Sequence, residues 1–168
     1  MVVALSEADT SLLAKELGRG HSIVYPTETC YGLGCDATNA AAVKKIYEIK
    51  GRAEMKPLIV VVDALRRMAP YIEVSPMLKK IADKYWPGPL TVVMAAKSGA
   101  ALPTGVIGPD GTIAFRVSSH PFVRSLAAAL GRPLVSTSAN VAGGENTYDI
   151  SSVLAQLGKA PVTPDIII

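Results

Sequence analysis

The stretch from His21 to Asp36, HSIVYPTETCYGLGCD, constrains the chain most. Ile23, Val24 and Tyr25 form a short β-branched and aromatic run that stops at Pro26, which cannot donate to a sheet ladder and so belongs at a strand end or edge. Thr27, Glu28 and Thr29 then place two hydroxyls and a carboxylate at the strand terminus. Tyr31-Gly32-Leu33-Gly34 follows, with backbone free to approach a ligand closely. Ligands of open α/β sheets bind beyond the carboxyl ends of strands, so this turn marks the expected site.

The rest of the chain alternates in the same manner. Asn39 is placed to cap a helix running to about Ile49, with Val43, Ile46 and Tyr47 inward and Lys50-Gly51-Arg52 just past its end. Ser6 or Thr10 is expected to cap an earlier helix that ends at Gly18, and Asp63 a short later one closed by Pro70. Ser75-Pro76 starts a helix to Trp86, His120-Pro121 starts another that Gly131 ends, and Ile150 to Leu157 forms the last. Apolar strand-length runs occupy Ser22–Tyr25, Leu58–Val62, Leu90–Ala95, Thr112–Val117, Leu134–Val135 and Asp165–Ile168. The alternation predicts an α/β fold of one domain, residues 1–168. The sheet is expected to be mixed, because Leu90–Ala95 and Thr112–Val117 are joined by a Gly/Pro-rich loop and no helix.

Composition excludes several classes. With 49% hydrophobic and 18% charged residues in 168, the chain can bury a sizeable core and does not read as disordered. No apolar run approaches the roughly 18 residues of a membrane helix, and the start lacks a secretory pattern, so no membrane contact and a cytoplasmic location are expected. Two cysteines, Cys30 and Cys35, and two histidines are too few for a structural zinc site, and no metal ligands are assigned. Between Lys44 and Arg67 stand seven basic residues against three acids, an excess suited to a polyanionic ligand. There is no P-loop and no G-x-S-x-G elbow. Gly32-Leu33-Gly34-Cys35-Asp36-Ala37 fits a dinucleotide fingerprint, but a threonine-rich turn separates it from the preceding strand.

Pro26-Thr27-Glu28-Thr29, Tyr31-Gly32-Leu33-Gly34, Lys50-Gly51-Arg52, Pro57-Leu58-Ile59-Val60, Trp86-Pro87-Gly88-Pro89-Leu90-Thr91 and Ser138-Ala139-Asn140, taken in order, resemble the signature series of the YrdC/Sua5 family of threonylcarbamoyl-AMP synthases. The resemblance implies an open twisted mixed sheet flanked by helices around a concave basic cavity. It implies that L-threonine, bicarbonate and ATP yield threonylcarbamoyl-AMP and pyrophosphate, with Mg²⁺ bound through the ATP phosphates. It assigns Lys50 and Arg52 as the catalytic cations on the ATP phosphates. It places Thr29, Arg116 and Ser136 at threonine, and Lys56, Thr112, Ser138, Asn140 and Asn146 at the nucleotide. Ser138 and Asn140 are thus expected to line the cavity that holds Thr29, and Lys50 and Arg52 to stand on a loop outside the core. The implied partner is a downstream transferase that modifies an adenosine in tRNA, with direct contact to tRNA or double-stranded RNA a further expectation.

The chain departs from the family pattern at Lys56, Val61 and Ser118, where asparagine, histidine and proline are common. The pattern also continues past a strand like Asp165–Ile168 into segments that do not follow here, so a more open pocket is expected. Two other readings fit parts of the sequence. One is a non-catalytic RNA-binding module, although only nine aromatics occur and none interleaves with basic residues as a stacking platform does. The other is a related carbamoyl-adenylate domain of hydrogenase maturation, which belongs in a longer chain.

Overall fold

The computed structural model describes residues 1–51, 56–158 and 160–168. Five helices and eight strands follow one another as α1 (Thr10–Gly18), β1 (Ile23–Tyr25), β2 (Gly32–Gly34), α2 (Ala40–Lys50), β3 (Val60–Val62), α3 (Pro76–Tyr85), β4 (Val92–Ala95), β5 (Thr112–Val117), α4 (Pro121–Leu130), β6 (Leu134–Val135), β7 (Thr137–Ser138), α5 (Ile150–Leu157) and β8 (Ile166–Ile167) among the described residues. A short 3-10 turn, Leu65–Met68, lies between β3 and α3. The helices start where side-chain caps stand: Asn39 accepts from Ala42 N and Ser75 from Leu78 N. Asp9, rather than Ser6 or Thr10, caps α1 by accepting from Ser11 N and Leu12 N. Asp63 does not cap the 3-10 turn, because its two oxygens are taken by Arg66 and Arg67.

The α/β class with mixed pairing holds, but the strands divide between two four-stranded sheets, ordered β7-β2-β1-β8 and β4-β5-β3-β6. Each contains one parallel pair, β1 with β8 and β3 with β5, and the remaining pairs are antiparallel. β6 and β7 are nearly one strand, and Ser136 between them is the point at which the chain leaves one sheet for the other. Its amide donates to Ile59 O at 2.8 Å, while Val135 N donates to Cys35 O at 2.9 Å, so the two sheets are stitched together there.

Alternation along the strands fills a core on each face. Val24, Val60 and Val62 point to a core that takes Val43 and Ile46 of α2, Leu78 of α3 and Val153 of α5. Ile23, Tyr25 and Val61 point to the other, built with Leu13 and Leu17 of α1 and Val123, Leu126 and Leu130 of α4. Burial on both faces explains why these strands read as continuous apolar runs. The connection from Ser98 to Gly111 is held down by packing: Leu102 and Val106 are buried, and Gly105 O accepts from Leu58 N and from the Tyr47 hydroxyl.

Candidate functional site

Where the two sheets meet, the ends of β1, β5 and β7 open into a cavity of about 280 Å³. Pro26 ends β1, and the next residues fold back through hydroxyl bonds. Thr27 Oγ1 donates to Cys30 O at 2.6 Å and accepts from Thr29 N at 3.1 Å, leaving its own hydroxyl 3.1 Å from that of Thr29. From β5 comes Arg116, in register with Val61 of β3. Ser136 enters from the sheet junction, Ser138 from β7 and Asn146 from the loop before α5, and all three line the same cavity. Cys30 and Ile59 supply apolar wall. Gly32 lines it too, because a Cβ there would stand 3.1 Å from Thr27 Cγ2 and 3.3 Å from Ser136 Oγ.

Behind the cavity wall the charge of Arg116 is paired with Glu28. Arg116 Nε lies 3.3 Å from Glu28 Oε1, with both side chains nearly buried. The Glu28 carboxylate also accepts from Ser118 Oγ at 2.5 Å. Below them Tyr25 donates its hydroxyl to Val135 O, and burial pushes its ionisation far above the ordinary range, so it serves as a neutral donor.

A second cavity of about 230 Å³ adjoins the first through Ser138 and is lined by Lys50, Lys56, Asn140 and the Val141–Gly143 turn. Lys56 is exposed. Lys50 is not: it is the last residue of α2, only 3% exposed, and Nζ donates to Ser138 O at 2.6 Å, Asn140 O at 2.8 Å and Asn140 Oδ1 at 2.9 Å. The expectation of a loop lysine outside the core is thereby corrected. The helix stops one residue later, at Gly51 with φ of 57°, and the ammonium turns in to three oxygens of the β7 loop. Asn140 completes the brace by accepting from Ser138 Oγ and donating to Gly144 O.

Thr29, Arg116, Ser136, Ser138 and Asn146 therefore share one cavity, and Lys50, Lys56, Ser138 and Asn140 its neighbour. Asn140 is in the adjoining cavity and not beside Thr29, because the chain turns away after β7. Thr112 lines neither. It begins β5, four residues before Arg116, and its hydroxyl donates to Asp110 Oδ1 at 2.8 Å. Arg52 lies outside the described residues. Thr27, Cys30 and Ile59 were given no ligand role from the sequence, although the hydroxyl pairing of Thr27 with Thr29 was a signal for the first.

A larger cavity of about 470 Å³ lies between the 3-10 turn and α4, lined by Asp63, Arg66 and Arg124. Its carboxylate is already bridged to Arg66 and Arg67, and none of the expected site residues reaches it. Among the described residues no group of three His, Cys, Asp or Glu side chains could hold a metal ion, and no helix is long and apolar enough to cross a membrane.

Comparison with known proteins places these features in context. The Sua5_yciO_yrdC family, described as "Telomere recombination", matches residues 15–163. A threonylcarbamoyl-AMP synthase of Aliivibrio fischeri is 36% identical over 149 residues, covering 87% of this chain and 80% of that protein. One from Vibrio vulnificus is 38% identical over 150 residues, covering 88% and 80%. The crystal structure of P. abyssi Sua5 complexed with L-threonine superposes with a TM-score of 0.85 at 30% identity. That match covers 95% of this chain but 46% of the Sua5 chain, so this protein spans about half of that neighbour's length. With its two sheets, its paired cavities and these relatives, the chain belongs to the Sua5/YciO/YrdC family.

Proposed function

We propose that this protein is a threonylcarbamoyl-AMP synthase, an enzyme that joins L-threonine, bicarbonate or carbon dioxide, and ATP into threonylcarbamoyl-AMP with release of pyrophosphate. The observation that carries the reading is the pair of adjoining cavities that share Ser138, one walled by hydroxyls and a guanidinium, the other by lysines and amides. The first has the size and donors for a small amino acid. An arginine presents parallel N–H donors to a carboxylate, so Arg116 is the group for the threonine carboxylate, with Thr27, Thr29 and Ser136 offering hydroxyls to its polar atoms. Cavities of this size suit small ligands better than a nucleic-acid strand, which favours the enzyme over an RNA-binding module.

In the second cavity Lys56 and the Asn140 loop would receive the nucleotide, and Arg52 is the further cation proposed for its phosphates. The threonine amine captures carbon dioxide as a carbamate, losing a proton to solvent. A carbamate oxygen then attacks the α-phosphorus, and pyrophosphate leaves. Such a transfer is accelerated by holding the two reactants in line and by neutralising phosphate charge, without a covalent protein intermediate. The polar side chains of the two cavities are hydroxyls, amides, cations and the lone thiol of Cys30, and the nearby carboxylate of Glu28 is already engaged, a donor set that does not fit a resident metal. Mg²⁺ belongs to the ATP it accompanies, where phosphate oxygens and water are its usual ligands. The product is a reactive mixed anhydride, which a separate transferase would pass to an adenosine of tRNA in the cytoplasm.

The test is pyrophosphate release with each substrate omitted in turn. Release should need threonine, bicarbonate and ATP together, and Thr29→Ala should raise the threonine KM while leaving that of ATP within about twofold. Release with ATP alone, or none with all three present, contradicts the proposal.

A further inference from the structure

The polar chain behind Arg116 is built in one direction. His120 N, at the start of α4, donates to Ser118 Oγ at 3.1 Å. With that lone pair occupied, the single hydroxyl proton of Ser118 is directed to Glu28 Oε2 at 2.5 Å. Ser118 is fully buried, so no water competes for that proton. Glu28 Oε1 in turn faces Arg116 Nε at 3.3 Å as an ion pair, and both atoms are sealed from solvent with no hydrogen-bond partner among the described residues. No hydrogen bond within the described residues engages the two terminal nitrogens of Arg116, and neither is among the buried unpartnered atoms, although the residue lines the cavity. The guanidinium therefore sets its inner edge against the Glu28 charge, while its outer edge makes no hydrogen bond among the described residues.

We propose that Glu28 and Ser118 are positioning residues for the amino-acid cavity: Ser118 fixes the Glu28 carboxylate, and Glu28 fixes the guanidinium plane of Arg116 so that its terminal N–H groups meet a substrate carboxylate two at a time. The arrangement ties the turn after β1 to the turn between β5 and α4, the two segments that bring Thr29 and Arg116 together. An arginine whose Nε edge is buried against a fixed carboxylate has fewer orientations open to its fork before the ligand arrives, and less rotamer entropy is lost on binding. A neutral or absent residue at 28 would leave the fork free to swing and its buried Nε without a counter-charge.

The inference rests on the proposed function for the identity of the ligand, but the clamp itself can be read without any ligand. In ¹⁵N spectra of the whole chain, the Arg116 Nε–Hε signal, assigned by its loss in Arg116→Lys, should be sharp and slow to exchange with water. Ser118→Ala and the isosteric Glu28→Gln should broaden it or speed its exchange, and Ser118→Thr, which keeps the hydroxyl, should restore it. Calorimetry on the same proteins should show L-threonine affinity down roughly tenfold in the first two variants, the size expected for a charge-assisted contact, with ATP affinity unchanged. An unaltered Nε–Hε signal in folded Ser118→Ala and Glu28→Gln overturns the clamp, as does an equal loss of threonine and ATP affinity. A clamp signal that responds as expected in a protein that binds no threonine overturns the functional reading and leaves the clamp standing.

Discussion

Lys50 shows how much a single side chain can change role between sequence and structure. By spacing it is a cation just past a helix, free for phosphate; in the fold its ammonium is buried against Ser138 O, Asn140 O and Asn140 Oδ1. These three bonds hold the loop that walls the second cavity. Lys50→Met keeps the aliphatic stem and removes the donors, leaving those oxygens buried without them. Stability should fall by about 1–3 kcal/mol and ATP affinity should fall with it. Urea unfolding and ATP calorimetry on the variant check this, and an unchanged unfolding midpoint would show the brace to be dispensable. Sequence could not supply this reading, because the acceptors stand 88 and 90 residues away. Thr29, by contrast, can be singled out early from the hydroxyl-rich turn that follows a legible apolar strand, whereas Arg116 comes forward only through the family resemblance.

At the scale of elements, legibility follows side-chain content. β5 and α5 occupy the residues that their patterns predict, Thr112–Val117 and Ile150–Leu157, because alternation and helical spacing are strong there. In the sequence β2 reads as part of a turn, and β7 is not among the strand-length runs. Gly32–Gly34 carries little of the side-chain signal by which strands are recognised, and Thr137–Ser138 is two polar residues long. Their strand character comes from partners: β2 lies between β1 and β7, and a Cβ on Gly34 would fall 2.1 Å from Val135 O and 3.1 Å from the Tyr25 ring. This close approach falls where the strand at Val135 passes beside Gly34, just before the chain leaves one sheet for the other. Gly34→Ala should cost about 1–3 kcal/mol, as other forced overpacking does. A thermal melt within a degree of the wild type would contradict that close approach.

The whole molecule is closed by Asp165. Its carboxylate accepts from Lys45 Nζ at 2.7 Å and from the amide and hydroxyl of Ser22, fastening β8 beside β1 and both to α2. Partial burial works against its charge, but the Lys45 and Ser22 donors outweigh it and hold the carboxyl below the ordinary aspartate range. The folded state thus binds its proton less readily than the unfolded chain. The contribution is complete above the unfolded value, about 3.9, and is lost as pH falls through the lower folded one. Asp165→Asn should lower stability at neutral pH by roughly 1 kcal/mol and flatten the acid limb of the stability curve, which pH-dependent urea unfolding reads directly. An acid limb identical to that of the wild type would show that Asp165 carries none of it. The Ile166–Ile168 run reads from sequence as a strand and is one, with Ile166 and Ile167 in β8 and all three residues buried. Its anchoring pair, 120 residues apart, is not visible there.

These layers lead to one claim, that the paired cavities join an amino acid to a nucleotide through a carbon taken from bicarbonate. The direct measurement is to supply ¹³C-bicarbonate, L-threonine and MgATP and to follow the product by ¹³C and ³¹P NMR. The account predicts a labelled carbamoyl carbon coupled to the phosphorus of AMP in a mixed anhydride, formed in step with pyrophosphate and lost when Arg116 is replaced by alanine. Pyrophosphate formed without label in any threonine adduct, or labelled product formed equally well by Arg116→Ala, would contradict it.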